Sequence, residues 1–337
     1  MRFTLLAMAL VGCGAPDDSL PPQPPIELAH PPARPTALSA GTTQWFVLDH
    51  FQLGLSRKDD GVPDLNAWRR YGYDLDGHAT SRDDSRYNRA TACPRVSGSR
   101  IDVLEDGEHG IDNAFAHHFM SVVKSLMSDV ETVTNERVAA GGYTFVLRLD
   151  NVGADDNANV PGALWLVGPR GTKPRFTADE TWPVAAASET TPLQTFSRGY
   201  MASGVWVSGE LGTETIDVGV PLLGDAVITK LVGGVMTVRV RDGRGGVIAG
   251  AIRQQDFLDT MKPSLLRRGV CPGDGVTFAV YEQTVKQSAD MWISAGPGTT
   301  AECNALSVGI GFTMKPIEGI AGTTGAPPAA KPECDAG

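Results

Sequence analysis

No cluster of basic residues occurs in this 337-residue chain, in which 29 Lys and Arg stand against 39 Asp and Glu for a formal charge of −10. Nucleic-acid binding needs a basic patch or stripe to neutralise phosphates, so that class of partner is excluded. The excess of acid serves solubility and is compatible with a sugar, a cation or a protein as ligand. Familiar catalytic spacings are missing as well: the sequence contains no H-E-x-x-H, no C-x-x-C and no G-x-S-x-G. Zincin, Cys-ligated zinc and nucleophile-elbow chemistries therefore have no motif to stand on. Gly243-Arg244-Gly245-Gly246 is too short for a phosphate cradle and reads as a turn between strands. His117 and His118 are adjacent, which on a helix points them about 100° apart, so a shared metal is not expected.

Long apolar runs are scarce too. The run Leu5–Gly12 is far shorter than the roughly 20 residues of a membrane-spanning helix. Preceded by Arg2 and ending in small residues, it has the layout of a secretory signal peptide. Its last residues, Leu10-Val11-Gly12-Cys13, resemble the lipobox of bacterial lipoproteins. That resemblance implies cleavage before Cys13, acylation of Cys13 and anchoring through several acyl chains, each worth about 0.8 kcal/mol per buried CH₂. Gly14 follows instead of Asp, which by the enterobacterial sorting pattern implies the outer membrane.

Residues 1–12 are thus expected to be a signal peptide and 13–43 the acylated Cys with a tether. Pro16, Pro21, Pro22, Pro24, Pro25, Pro31, Pro32 and Pro35 fall in the tether and favour an extended, semi-rigid spacer. Residues 320–337 form a low-complexity tail, leaving 44–319 as a single domain. Of five cysteines, Cys13 is spoken for, and the other four are even in number in an oxidising compartment. Three pairings are possible. The favoured one joins Cys271 to Cys303, stapling a helical stretch, and Cys93 to Cys334, tying down the tail.

Period-2 alternation dominates. It marks Tyr143–Asp150, Thr215–Val220, Met236–Val240 and Val247–Ile252, with further strands expected at 44–51, 162–167, 204–208, 226–231 and 305–316. Helical spacing marks three segments. One follows Asp112 as cap, with Phe115, Phe119, Val122, Val123, Leu126 and Val130 on its apolar face; the others are 254–268, kinked or broken at Pro263, and 276–292. The predicted fold is α+β and β-rich: an antiparallel β-sandwich-like core with about three packed helices.

The sharpest chemical pattern is acidic. Asp60 and Asp64 flank a Gly-Val-Pro turn, and Asp74 and Asp76 stand two apart before Gly77. Carboxylates so spaced along a turning backbone can converge on one hard cation such as calcium, which takes six to eight oxygens. Asp60-Gly61-Val62-Pro63-Asp64 resembles the end of a thrombospondin type 3 calcium repeat, departing from it at Ser56 and Lys58. Asp150, Asp155 and Asp156 form a second acidic stretch after a strand. Asp and Gly are also the ordinary residues of solvated turns, the competing reading for all of these. Of six tryptophans, Trp182, in a Thr-Trp-Pro context, is the one expected to be exposed and able to stack on a sugar.

Four blocks, Ala67–Gly77, Gly110–Phe115, Val205–Gly209 and Ser307–Phe312, resemble an uncharacterised family of secreted myxobacterial lipoproteins. The resemblance implies membership and no activity. The expected function is a cell-envelope-anchored, non-enzymatic binding or structural module, calcium-stabilised, meeting the membrane through its lipid and an envelope polysaccharide or another protein through its loops. The alternative is an envelope hydrolase acting on polysaccharide through a carboxylate pair.

Overall fold

The computed structural model describes residues 26–57, 60–81, 93–94, 97, 104–185, 191–220, 227–241, 245–266, 271, 276–293 and 302–324. The expectations for Cys13, the signal peptide and Cys334 fall outside the described residues.

Among the described residues, twelve strands form one mixed sheet. They are β1 (Thr42–Gln52), β2 (Thr144–Val152), β3 (Gly162–Val167), β4 (Thr181–Ala185), β5 (Gln194–Phe196) and β6 (Tyr200–Ala202). After these come β7 (Val205–Val207), β8 (Thr215–Val220), β9 (Val227–Arg239), β10 (Gly245–Arg253), β11 (Ala305–Ile317) and β12 (Gly319–Thr324). Their order is β12-β4-β3-β2-β1-β11-β10-β9-β7-β6, with β5 added to β3 and β8 to β9. All pairings are antiparallel except β12 with β4. The β-rich α+β expectation holds. The two separate sheets of a sandwich are not seen among the described residues; instead one sheet curves around its own apolar face. Its flanks approach each other, where the Asp217 N–H of β8 donates to Gln194 Oε1 of β5 at 3.0 Å.

Alternation builds that interior. Phe145, Leu147 and Leu149 of β2, Ile248 and Ile252 of β10, and Val308, Ile310, Phe312 and Met314 of β11 share one buried cluster. Phe115, Phe119, Met120 and Phe257 cover it from the helical side. Among the described residues there are four α-helices: α1 (Met120–Leu126), α2 (Val130–Ala139), α3 (Gln254–Leu266) and α4 (Val276–Gln287). None of the described helices is long and apolar enough to cross a membrane. A π-helical turn, Phe115–Phe119, leads into α1. Pro263 does not break α3 in two: the helix runs from Gln254 to Leu266 with the proline inside it, at the cost of one helical N–H bond.

Three further expectations are corrected. Trp182 is fully buried: its Thr-Trp-Pro segment is not a loop but β4, inserted between β3 and β12, with Phe176 and the Arg170 guanidinium against the indole. Cys303 bonds to Cys93, not to Cys271, which also removes Cys93 from Cys334. The reason is topological: Cys303 N–H donates to Pro94 O at 2.8 Å, and the two cysteines share a small cluster with Ala289 and Trp292. Cys271 is itself disulfide-bonded. Finally, residues 26–41 lie along the domain. Tyr200 OH donates to Pro32 O at 2.7 Å, Arg34 Nη1 donates to Ala158 O at 2.7 Å, and Asn157 Nδ2 donates to Ser39 O at 3.0 Å. At the other end, the expected tail contributes β12, up to Thr324.

Candidate metal centre

β1 stops pairing with β11 at Gly311, so the edge of β11 before that point lacks a strand neighbour on this side. Two polar side chains take its place. Asn113 accepts the Gly309 N–H at Oδ1 (3.0 Å) and donates Nδ2 to Gly309 O (2.9 Å), as a paired peptide would. Asp290 accepts the Ser307 N–H at 2.8 Å. Strand backbone groups that would otherwise be orphaned in a buried setting are thereby satisfied.

The outward face of β11 here carries Ser307, Gly309 and Gly311, and the segment Tyr71–Gly77 lies directly on it. A Cβ at Gly309 would come within 2.0 Å of Tyr71 O, so only glycine permits the approach. Asn113 Nδ2 also donates to Tyr71 O at 2.9 Å, locking the segment to the strand. Alternation then sorts the side chains. Tyr73 and Leu75 pack against Val207, Val235, Val247 and Ala249 of the sheet, and Tyr73 OH meets Thr237 Oγ1 at 2.8 Å. Asp74 and Asp76 are left to face the loop that carries Asp106 and Asp112.

One oxygen each from Asp74, Asp76 and Asp112 lie within 4.8 Å of one another, the only such group among the described residues. Each carboxylate is fixed by a backbone N–H: Asp74 Oδ1 by Gly77 (3.0 Å), Asp76 Oδ1 by His78 (2.8 Å), Asp112 Oδ2 by Leu75 (2.6 Å). Asp74, only 2% exposed, keeps a second oxygen, Oδ2, with no hydrogen-bond partner. Asp106 stands beside them, its Oδ2 accepting the Thr80 N–H at 2.5 Å. Burial pushes all four carboxyls up, Asp106 to about 8 and Asp112 well above the usual range, and the neighbouring Asp76 and Asp290 charges add to both. Crowding and desolvation of this kind favour the neutral carboxyls, and a cation among them would favour the ionised form. Donors bound to one ion at about 2.3–2.6 Å can be at most about 5 Å apart, so three oxygens within 4.8 Å fit a hard divalent ion.

Of the carboxylates singled out in the sequence, the structure brings Asp74 and Asp76 together and leaves the others elsewhere. Asp60 is exposed and paired with Arg57 and the Val62 N–H. Asp64 accepts the Asn66 N–H, and Asp156 the Ser203 N–H. Asp150 meets Thr43 and Arg148, and Asp155 meets Arg241. Each serves a local turn or ion pair, the ordinary use of Asp in loops. Asp112 was expected to cap a helix. That role belongs to Asn113, whose Oδ1 accepts the Ala116 N–H at 3.1 Å, which frees Asp112 for the cluster. Two adjacent cap-type residues, of which only one can cap, were the available signal.

The histidines differ from expectation as well. Across the π-helical turn the His117 and His118 rings come together, with centroids 3.9 Å apart, and His117 stacks on Trp68 at 3.7 Å. Burial, with the Arg69 charge, pushes the His117 imidazole down to about 4.

Compared with known proteins, the chain matches no family model, no curated protein and no solved structure.

Proposed function

We propose that this protein is a cell-envelope-anchored, non-enzymatic binding or structural module whose surface loops are held by a divalent cation at Asp74, Asp76 and Asp112. The observation that carries this reading is the convergence of one oxygen each from Asp74, Asp76 and Asp112 to within 4.8 Å around a buried Asp74 whose Oδ2 accepts no hydrogen bond. An all-carboxylate set suits a hard, oxygen-seeking ion, of which calcium is the type. The ion would tie Tyr71–Gly77 to the Asp112 loop over the outer face of β11, making a rigid platform from two segments with little regular structure. The lipobox-like Leu10–Cys13 and the blocks resembling secreted myxobacterial lipoproteins support an acylated Cys13 and an outer-membrane address, with envelope polysaccharide or another protein as the partner of the loops.

The test is a thermal melt of the full chain with added calcium and with chelator, alongside calorimetric titration of calcium into the wild type and Asp112→Asn. A calcium-dependent rise in Tm and one bound ion, both lost in the variant, are expected. An unchanged Tm and no bound ion would remove the cation. Turnover of a glycan or ester that a single carboxylate change abolishes would overturn the non-enzymatic reading.

A further inference from the structure

The segment 27–30 is clipped between the two loops that carry the cluster. Asp74 N–H donates to Ala29 O at 2.9 Å, and Ala29 N–H donates to His109 O at 2.8 Å. His109 Nδ1 lies 3.1 Å from Glu27 O, and a Cβ at Gly110 would meet the Leu28 side chain at 2.9 Å. This docking places His30 Nε2 at 3.7 Å from Asp74 Oδ2, the oxygen of the cluster that has no hydrogen-bond partner. The gap is too long for a hydrogen bond. It is an ion-pair distance, and toward Asp74 it also suits two ligands of one ion, whose donors lie about 3–4 Å apart when not opposed; the imidazole stands outside the group of oxygens within 4.8 Å of one another and must turn inward to join it.

We infer that His30 is a further ligand of the ion held by Asp74, Asp76 and Asp112, so that the site takes a cation accepting both carboxylate and imidazole, manganese(II) in preference to calcium. The inference rests on the three-carboxylate site proposed above and narrows its ion. Calcium is bound by oxygen donors and gains little from an imidazole; a first-row transition ion gains a ligand of its preferred type. His30 reaches the ion by a side-chain adjustment, because it is 55% exposed while its backbone neighbours are pinned. The ion then fastens the N-terminal segment to the domain as well as joining the two loops.

The experiment loads the full chain with Mn²⁺ and reads nitrogen couplings to the ion by pulsed EPR, with parallel Mn²⁺ and Ca²⁺ titrations by calorimetry. Wild type, His30→Ala and His78→Ala are compared, since His78 is the other histidine beside the cluster. Expected are an imidazole nitrogen signal in wild type and His78→Ala that disappears in His30→Ala. A loss of Mn²⁺ affinity of tenfold or more is expected in His30→Ala, with Ca²⁺ affinity changed less than about twofold. Exposure of His30 makes misfolding of the variant unexpected, and its melt checks this. Should His30→Ala retain the nitrogen signal and the Mn²⁺ affinity, His30 is no ligand and the carboxylate site stands alone. Should neither ion bind the wild type stoichiometrically, the carboxylate site itself falls and the inference with it.

Discussion

Asn113 and Gly309, 196 residues apart in sequence, exchange two hydrogen bonds, as two paired strand residues do. The same amide side chain caps the turn at Ala116 and holds Tyr71 O. Replacing it with Ala leaves several buried backbone groups without partners, each costing about 1–3 kcal/mol. Asn113→Ala is therefore expected to lose about 3–5 kcal/mol of stability in urea unfolding, at the high end for a single substitution. A loss under about 1 kcal/mol would show that water replaces the amide.

Gly309→Ala tests the floor of the site. The added methyl has no room beside Tyr71 O, so either β11 or the Tyr71–Gly77 segment must move. Stability should fall by about 1–3 kcal/mol, as in other overpacked sites. Cation affinity should fall with it, because Asp74 and Asp76 shift relative to Asp112. An unchanged binding isotherm would mean that the segment is not positioned by its contact with the strand.

Asp112→Asn separates stability from ion binding. With the ion removed, the substitution relieves the desolvation and mutual repulsion that push the Asp112 carboxyl up, while its amide oxygen still accepts the Leu75 N–H. The apo variant should melt at or above the apo wild type. With the ion present the order should reverse, and affinity should drop by at least about tenfold, or 1.4 kcal/mol. Melts of both proteins with and without chelator decide it.

Cys93 and Cys303 close a loop of 210 residues. Non-reducing peptide mapping should recover that pair. Cys303→Ser should cost about 2–5 kcal/mol, the usual effect of losing a native disulfide.

Acid sensitivity should trace in part to His117. Its imidazole titrates at about 4 in the fold against 6.5 ordinarily, so the unfolded chain takes up the proton first as pH falls. Its contribution is complete above about pH 6.5, declines as pH falls from 6.5 to 4, and amounts to at most about 3 kcal/mol. His117→Gln should flatten the dependence of Tm on pH over that window. A parallel curve for the two proteins would place the sensitivity elsewhere.

Much of the sheet was legible in local pattern. Tyr143–Asp150 alternates and forms most of β2, while Val247–Ile252 and Gly162–Val167 are short apolar runs that form strands buried on both faces, the latter matching β3 to the residue. Two expected strands, 226–231 and 236–240, prove to be the single strand β9, whose Gly233 and Gly234 mark the place where its partner changes from β8 to β7. β5, β6 and β7 are three residues each, too short for a period, though the Val205–Val207 segment was found through its flanks. α2 escaped notice because it lacks an apolar stripe. Its buried face includes Glu131, which accepts the Leu53 N–H at 2.6 Å, and Asn135 accepts the Phe51 N–H at 2.7 Å. Two of the three carboxylates of the site, Asp74 and Asp76, were visible as a local spacing. Asp112, His30 and the Cys93–Cys303 pair reach their places only through tertiary contacts, for which a local pattern carries no signal.

β11 fills the middle of the sheet between β1 and β10, although almost all other described strands precede it in the chain. Synthesised from the N-terminus, the polypeptide must keep two strand edges open until Ala305–Ile317 arrives to close the seam. Such distant pairings make for slow, high-contact-order folding, with exposed edges prone to wrong partners in the interval. The acidic segment can pack Tyr73 and Leu75 on β7, β9 and β10 earlier, but it lacks its contact with the outer face of β11 until Gly309 is in place. Uptake of the proposed ion would thus be a late event that registers completion of the chain's assembly, and a truncated or half-folded molecule would be unable to hold it.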